Sequence, residues 1–279
     1  MLKISELYIY PIKSLQGIAV KQARVTPTGF EHDRRWLLVD ENNRFITQRE
    51  CHEMTQLLVS IANEGLVITH KTKGDSFSVP FTTEPRADDC GSISVVIWDD
   101  TCTAEYVSNE ADEWFSRMLG MKCRLVYMPD TTQRITDQRY APEGAITSFA
   151  DGFPYLIIGQ ASLDDLNTRL ETPLPMNRFR PNLVFTGGAP YQEDRMGNFK
   201  INLIDFYGVK LCARCVMTTI DQDNAATGKE PLKTLASYRL KNNKIMFGQN
   251  LIYSGDGFVS IGDQIELISY NDDERFIVG

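Results

Sequence analysis

The hydrophobic positions of this chain fall in short runs, many of them β-branched or aromatic, each bounded by Gly, Asn, Asp or Pro. Runs of this kind occupy 7–12, 36–39, 57–61, 66–70, 93–98, 123–128, 155–158 and 182–185. The series continues at 200–204, 209–213, 251–253 and 264–268. Too short and too alternating for helices, they predict strands, and their spacing favours barrels or sandwiches over a doubly wound sheet. Asn63-Glu64-Gly65, between two apolar runs, predicts a hairpin in which Gly65 supplies a positive φ.

Helical periodicity interrupts the pattern twice. Ser108 is placed to cap a helix whose first turn holds Glu110 and Asp112, where carboxylates oppose the helix dipole. Ala111, Trp114, Phe115, Met118 and Leu119 form its apolar face, and Gly120 closes it. A second helix is predicted to start at Ser162, with Asp165 in capping-box position and Leu163, Leu166 and Leu170 along one face. A short third starts near Pro231, with Leu232 and Leu235 inward. The fold class is therefore mainly β with a few helices, a β-rich α+β protein.

With 279 residues, the chain has room for roughly two domains at about 150 residues each. The polar, turn-rich stretch after Met128 is the natural boundary, dividing it into 1–128, 129–270 and a tail, 271–279. Hydrophobic residues at 42% and charged residues at 24% are globular values that exclude disorder and collagen. No apolar run approaches the ~20 residues of a membrane helix, so no membrane association is expected. The start, MLKISELYIYPIKS, lacks the apolar core and cleavage site of a signal peptide, and a cytoplasmic location is the default expectation. A net charge of −8 without any Lys/Arg block argues against nucleic-acid binding. Basic residues converging on such a surface would suit a compact anion.

Six cysteines are too sparse for a disulfide scaffold. Cys51, Cys90, Cys102 and Cys123 read as buried thiols. Cys212-Ala-Arg-Cys215 stands apart. A structural zinc site needs four ligands, yet there is one such pair, and His32, His52 and His70 all lie in the first quarter. A thioredoxin-like dithiol needs a helix N-terminus, whereas Val-Met-Thr-Thr-Ile after Cys215 looks extended. The plain alternative is two cysteines on a strand, where residues three apart face opposite sides and at most one lines a site. Arg214 changes the balance, since an adjacent guanidinium favours a thiolate and offers an oxyanion clamp. Other cations sit at turns: Lys13 beside Ser14, Arg34-Arg35, and Arg180, which Pro181 biases towards an extended backbone. Taken singly, each reads as a solvated charge.

Together these residues carry a resemblance. Tyr10-Pro-Ile-Lys-Ser14, Asp33-Arg-Arg-Trp36, Asn177-Arg-Phe-Arg-Pro-Asn182, Arg214-Cys-Val-Met-Thr-Thr-Ile-Asp221 and Lys229-Glu-Pro-Leu-Lys-Thr-Leu235 follow in order, with Phe247-Gly-Gln249 near the end. They resemble the MOSC family, named for the molybdenum cofactor sulfurase C-terminal domain. The likeness is strongest to the branch of the mitochondrial amidoxime reducing component and its bacterial relatives. It covers nearly the whole chain and implies a smaller N-terminal β-barrel-like domain followed by a MOSC-type β-barrel domain.

The resemblance implies a molybdopterin cofactor whose molybdenum takes the thiolate of Cys215, with Cys212 structural. It carries cofactor contacts over to Lys13, Ser14, Arg34, Arg180 and Arg214. At three further contact positions the chain departs from the animal enzymes. Gly152-Phe153 stands where they have Thr-Ser, Ala213 where they have Ser, and Asn250 where they have Tyr. There, backbone groups remain available to bind. The chemistry fits, because an anionic cofactor ending in a phosphate needs Lys and Arg donors and a soft metal suits a thiolate.

The implied activity is reduction of N-hydroxylated compounds such as amidoximes. No iron–sulfur cluster is expected in this chain, because Cys-x₄-Cys-x₂-Cys is missing, so the electron donor is expected to be a separate flavoprotein or ferredoxin. The rival is a sulfur-carrier or cofactor-handling protein using a persulfide on the same Cys. A third reading is a metal-free anion-binding module built on Arg34, Arg180 and Arg214.

Overall fold

The computed structural model describes residues 1–81 and 91–278, and Cys90 lies outside them. As the hydrophobic pattern predicts, the chain is mainly β, with α-helices at Asn109–Leu119, Gln160–Thr168 and Leu232–Ala236. A nine-stranded sheet dominates. Its order runs Ile18–Val20, Lys3–Ile9, Leu183–Thr186, Tyr155–Gly159, Lys244–Ser254, Ile204–Arg214, Asn198–Ile201, Ile265–Leu267, and Leu240–Lys241 pairs beside Lys244–Ser254. The sheet curls until its far strand returns to the first. Ile265 N–H donates to Leu2 O at 3.0 Å, and Ile4 N–H donates to Asp263 O at 2.8 Å.

Inside this curl lie Ile4, Leu7, Phe30, Tyr155, Phe185, Phe199 and Phe206, so the first thirty residues share a core with the second half of the chain. A separate core gathers Trp36, Leu38, Met54, Leu66, Trp114, Phe115 and Leu125. It is built by strands Trp36–Val39 and Arg124–Tyr127, by the three-stranded sheet Leu57–Ala62, Gly65–His70, Ser76–Pro80, and by helix Asn109–Leu119. Those two strands continue into a four-stranded sheet with Asp100–Tyr106 and Ser92–Ile97, whose buried residues form a further cluster with Leu37, Val39 and Val126. That helix forms as its sequence requires. Ser108 accepts from Ala111 N–H, Gly120 ends it at φ 67°, and the five residues of the apolar face are buried.

Four local expectations change. Gly65 does not carry a positive φ: Asn63 and Glu64 alone make the turn, since Ala62 pairs with Gly65. Glycine is required there because a Cβ would sit 2.1 Å from Val79 O, where the third strand crosses close. The segment 200–204 is a hairpin rather than a strand, with Ile201 paired to Ile204 and Asn202 turning at φ 56°. The second helix begins at Gln160, and Ser162 does not cap it. Instead its buried hydroxyl donates to Glu193 Oε2 at 2.8 Å and accepts from Tyr191 N–H at 2.7 Å. The residues after Cys215 form a 3₁₀ turn, Val216–Thr219, in which the Thr218 and Thr219 hydroxyls donate to carbonyls three residues back, a local bond that offsets their β-branched preference.

Cys51, Cys102 and Cys123 are buried free thiols, as expected. The polar stretch after Met128 becomes a small arm in which Arg134–Ile135 pairs with Ile146–Thr147. Its Arg134 is buried, meets Asp100 at 2.8 Å, and donates to Ser148 O and Ala150 O. This guanidinium fastens the loop that delivers Asp151, Gly152 and Phe153 to the site. Among the described residues, no helix is long and apolar enough to cross a membrane.

Candidate functional site

One cavity has walls that come from distant parts of the chain. Lys13 and Ser14 reach it because the first strand stops at Ile9 and the chain turns. Arg34 enters from the next turn, Arg180 from the loop before Leu183–Thr186, and Ala213 to Cys215 from the end of the long strand. Gly152, Phe153 and Asn250 complete the set, so all ten positions singled out in the sequence line one cavity. Taken singly they read as scattered surface charges, yet the fold makes them neighbours.

Three of these residues hold left-handed backbone although none is glycine: Ser14 at φ 67°, Arg34 at φ 50° and Arg180 at φ 54°. For Arg180 this reverses the extended conformation that Pro181 suggested. Such backbone costs about 1–3 kcal/mol per residue, and its concentration on one cavity marks a site shaped for a ligand. What holds it is visible. Asp33, fully buried, accepts from Tyr10 N–H at 2.7 Å and from Arg34 Nη1 at 2.6 Å. Arg34 also donates to Asn182 Oδ1 at 3.1 Å and to Arg180 O at 3.3 Å. Both guanidinium groups lie over the Tyr10 ring, Arg34 at 4.2 Å and Arg180 at 4.3 Å. Arg35 points elsewhere, to Met128 O and Asp130.

The electrostatics ask for an anion. Lys13 Nζ is buried, donating to Phe149 O at 2.7 Å and to Asp151 Oδ1 at 2.6 Å. Burial lowers its ammonium from the ordinary lysine value to about 8. Burial likewise lowers Arg180 to about 10, and no carboxylate among the described residues pairs with it. Asp151 is the cavity's one carboxylate, against Lys13, Arg34, Arg178, Arg180 and Arg214. The protein around this concavity pushes the Asp151 carboxyl up, but Lys13, Arg49 and Arg34 more than reverse that and hold it well below the carboxylate range.

Arg214 does not act on Cys215, as its adjacency suggested. Its Nε donates to Phe247 O at 2.7 Å and its Nη1 to Phe179 O at 2.9 Å, leaving Nη2 buried without a partner. Gly248 makes room for it. Its φ of 80° belongs to a bulge where Phe247 and Gly248 together oppose Cys212. A Cβ on Gly248 would stand 2.7 Å from Ile158 Cγ1 and 3.2 Å from Arg214 Nη2. Both Cys212 and Cys215 line the cavity, against the strand rule that only one would, because the strand ends at Arg214 and Cys215 already opens the 3₁₀ turn. The low-polarity surroundings of Cys212 raise its thiol.

The cation on the Cys215 sulfur is Arg49, which the sequence reading missed. Its Nε and Nη2 donate to Sγ at 3.3 and 3.2 Å. Arg49 sits in a polar segment with no local signal, and only the packing of the two halves brings it there. Neighbouring Gln48 exchanges amide hydrogen bonds with Gln222 at 3.1 and 3.0 Å, tying the loop beyond Cys215 to the first half. Arg178, also missed, donates to Thr218 O at 3.0 Å and steadies the turn after Cys215. The side chains of Phe153 and Asn250 turn from the centre, Phe153 packing with Ala141 and Val209, and Asn250 donating to Lys210 O at 3.1 Å. Gly152 faces open space.

Comparison with known proteins supplies context. Residues 1–122 match the model of the MOSC N-terminal beta barrel domain, and residues 145–266 match that of the MOSC domain. The chain is 31% identical to mitochondrial amidoxime-reducing component 1 of Mus musculus, over 95% of this chain and 82% of that protein. It is 34% identical to mitochondrial amidoxime reducing component 2 of Bos taurus, over 85% and 72% respectively. It is also 32% identical to molybdenum cofactor sulfurase of Oryza sativa subsp. japonica, over 90% of this chain but 32% of that protein.

Proposed function

The chain belongs to the MOSC family, and from that premise we propose that it is a molybdenum-cofactor oxidoreductase reducing N-hydroxylated compounds such as amidoximes. The observation that carries this reading is the convergence of five cations on a cavity with one carboxylate, beside a thiol held by a guanidinium. A pterin cofactor ending in phosphate suits that donor set, and the unpartnered Nη2 of Arg214 is a donor waiting for an anionic acceptor. Among the described residues no group of three or more His, Cys, Asp or Glu gathers to hold a metal. A metal here would take one protein ligand, Cys215 Sγ, and its remaining ligands from the cofactor.

When bound, the cofactor supplies the two-electron redox chemistry of oxygen-atom removal. The chain's own residues do the rest. Lys13, Arg34, Arg180 and Arg214 hold the anionic group and fix its orientation. Ser14 offers a hydroxyl beside Lys13 at its left-handed turn. Arg49 steadies the sulfur, and Asp151 holds the Lys13 ammonium in place. Substrate approaches from the open side of Cys215, and electrons come from a separate donor protein.

The rice relative's name favours a second reading, a cofactor-handling protein carrying sulfur on Cys215. Metal analysis of protein made in a cofactor-competent host separates them. The reductase reading expects about one molybdenum per chain, lost in Cys215→Ala and kept in Cys212→Ala. Metal-free protein with sulfane sulfur on Cys215 would support the second reading instead.

A further inference from the structure

Beside Asp151, which lines the cavity, the first half of the chain contributes an aromatic pair, Phe45 and Trp98. The strands Ser92–Ile97 and Asp100–Tyr106 are joined by a two-residue turn, Trp98-Asp99, in which Ile97 pairs with Asp100. Trp98 takes φ 56°. Tight hairpins put Gly or Asn at left-handed positions, and a bulky aromatic there is an outlier that local stability does not explain. Ser14, Arg34 and Arg180, which line the cavity, are also left-handed, and Trp98 adjoins that lining through Asp151.

The Trp98 ring is fixed from several sides. Arg49, the residue on the Cys215 sulfur, lies over one face at 4.4 Å. Nε1 donates to Asp151 Oδ1 at 3.3 Å, and Phe45 meets the ring at 5.0 Å and 57°. Trp98 as a residue nevertheless stays 41% exposed, whereas Trp36 and Trp114 are buried at 1% and 4%. A large, preorganised, half-open indole one side chain away from the sulfur is a surface made to receive something flat.

We propose that Trp98 is a specificity-determining residue: its open ring surface receives the planar aromatic part of a substrate whose reducible group lies beside Cys215. This rests on the reductase reading above. The site then favours an aryl over an alkyl compound bearing the same N-hydroxylated group. Offset stacking on one ring supports a preference of up to about tenfold.

The test uses cofactor-loaded protein with benzamidoxime and acetamidoxime as probes. Dissociation constants come from ligand-observed NMR without reductant, and kcat/KM from assays with an artificial electron donor. Trp98→Gly removes the ring and suits the left-handed turn, so folding is not at issue, and Trp98→Phe restores a ring. Wild type is expected to bind benzamidoxime up to about tenfold more tightly than acetamidoxime. Trp98→Gly should bring that ratio close to one, and Trp98→Phe should recover most of it. If Trp98→Gly weakens both probes equally, the ring only braces Arg49 and the proposal falls. It falls as well if the ratio survives without the ring. Wild type that discriminates in binding yet reduces neither probe refutes the reductase reading and leaves the aromatic subsite standing. Equal binding and equal reduction of both probes refutes the subsite alone.

Discussion

Substituting Gly248 with Ala tests how tightly the fold constrains the wall of the site. The residue holds φ 80°, a region where a non-glycine residue costs roughly 1–2 kcal/mol. The added Cβ would meet Ile158 Cγ1 at 2.7 Å, Ile157 O at 3.0 Å and Arg214 Nη2 at 3.2 Å. Ile158 is fully buried and Ile157 O is backbone, so neither gives way freely, and overpacking of this kind costs about 1–3 kcal/mol. The two effects together amount to about 2–5 kcal/mol. For a chain of this size that lowers the thermal midpoint by roughly 3–9 °C. Gly152→Ala is the matched control, because its Cβ would meet nothing within 4 Å and its φ is not left-handed. It should stay within about 0.5 kcal/mol of wild type. Thermal unfolding followed by circular dichroism measures both variants. Equal midpoints for the two would refute the claim that the bulge at Gly248 is sterically closed.

Four further outcomes are expected. Arg180→Lys keeps the charge but loses the planar fork, so cofactor titrated into apo-protein should bind more weakly by about 1.5–3 kcal/mol, whereas superimposable curves would make Arg180 a bystander. Lys13, lowered by burial to about 8, should lose its proton as pH rises through that value, so phosphate binding measured by calorimetry should weaken above pH 8. The sign for stability is opposite: between about 8 and the ordinary lysine value the unfolded chain binds more protons, and Lys13's contribution to stability rises with pH there, a trend that Lys13→Met should remove. The purified chain should not oxidise NADH directly, since it has no Gly-x-Gly-x-x-Gly turn and no iron–sulfur Cys pattern, but an artificial electron donor should support amidoxime turnover.

Local order was legible in the sequence wherever a short stretch settled its own structure. The strand Trp36–Val39 and the helix from Asn109 to Leu119 have the bounds that their apolar periods and caps predict, because a period of two or 3.6 and an N-cap bond are decided within a few residues. The cations that line the cavity were legible as types, and their grouping followed only from the motif order of a recognised family. Tertiary packing decided the rest. Ser162 left its cap position because a buried Glu193 required a donor, and Gly65 is glycine because the next strand of its sheet passes close to it at Val79. Arg214 and Arg49 exchanged the roles that adjacency suggests: a side chain's target depends on which carbonyls and sulfur the packed backbone brings within reach, and sequence neighbours on a strand point apart. The left-handed backbones at Ser14, Arg34, Arg180 and Trp98 carry no local signal, since each is held against its own preference by contacts made between distant parts of the chain.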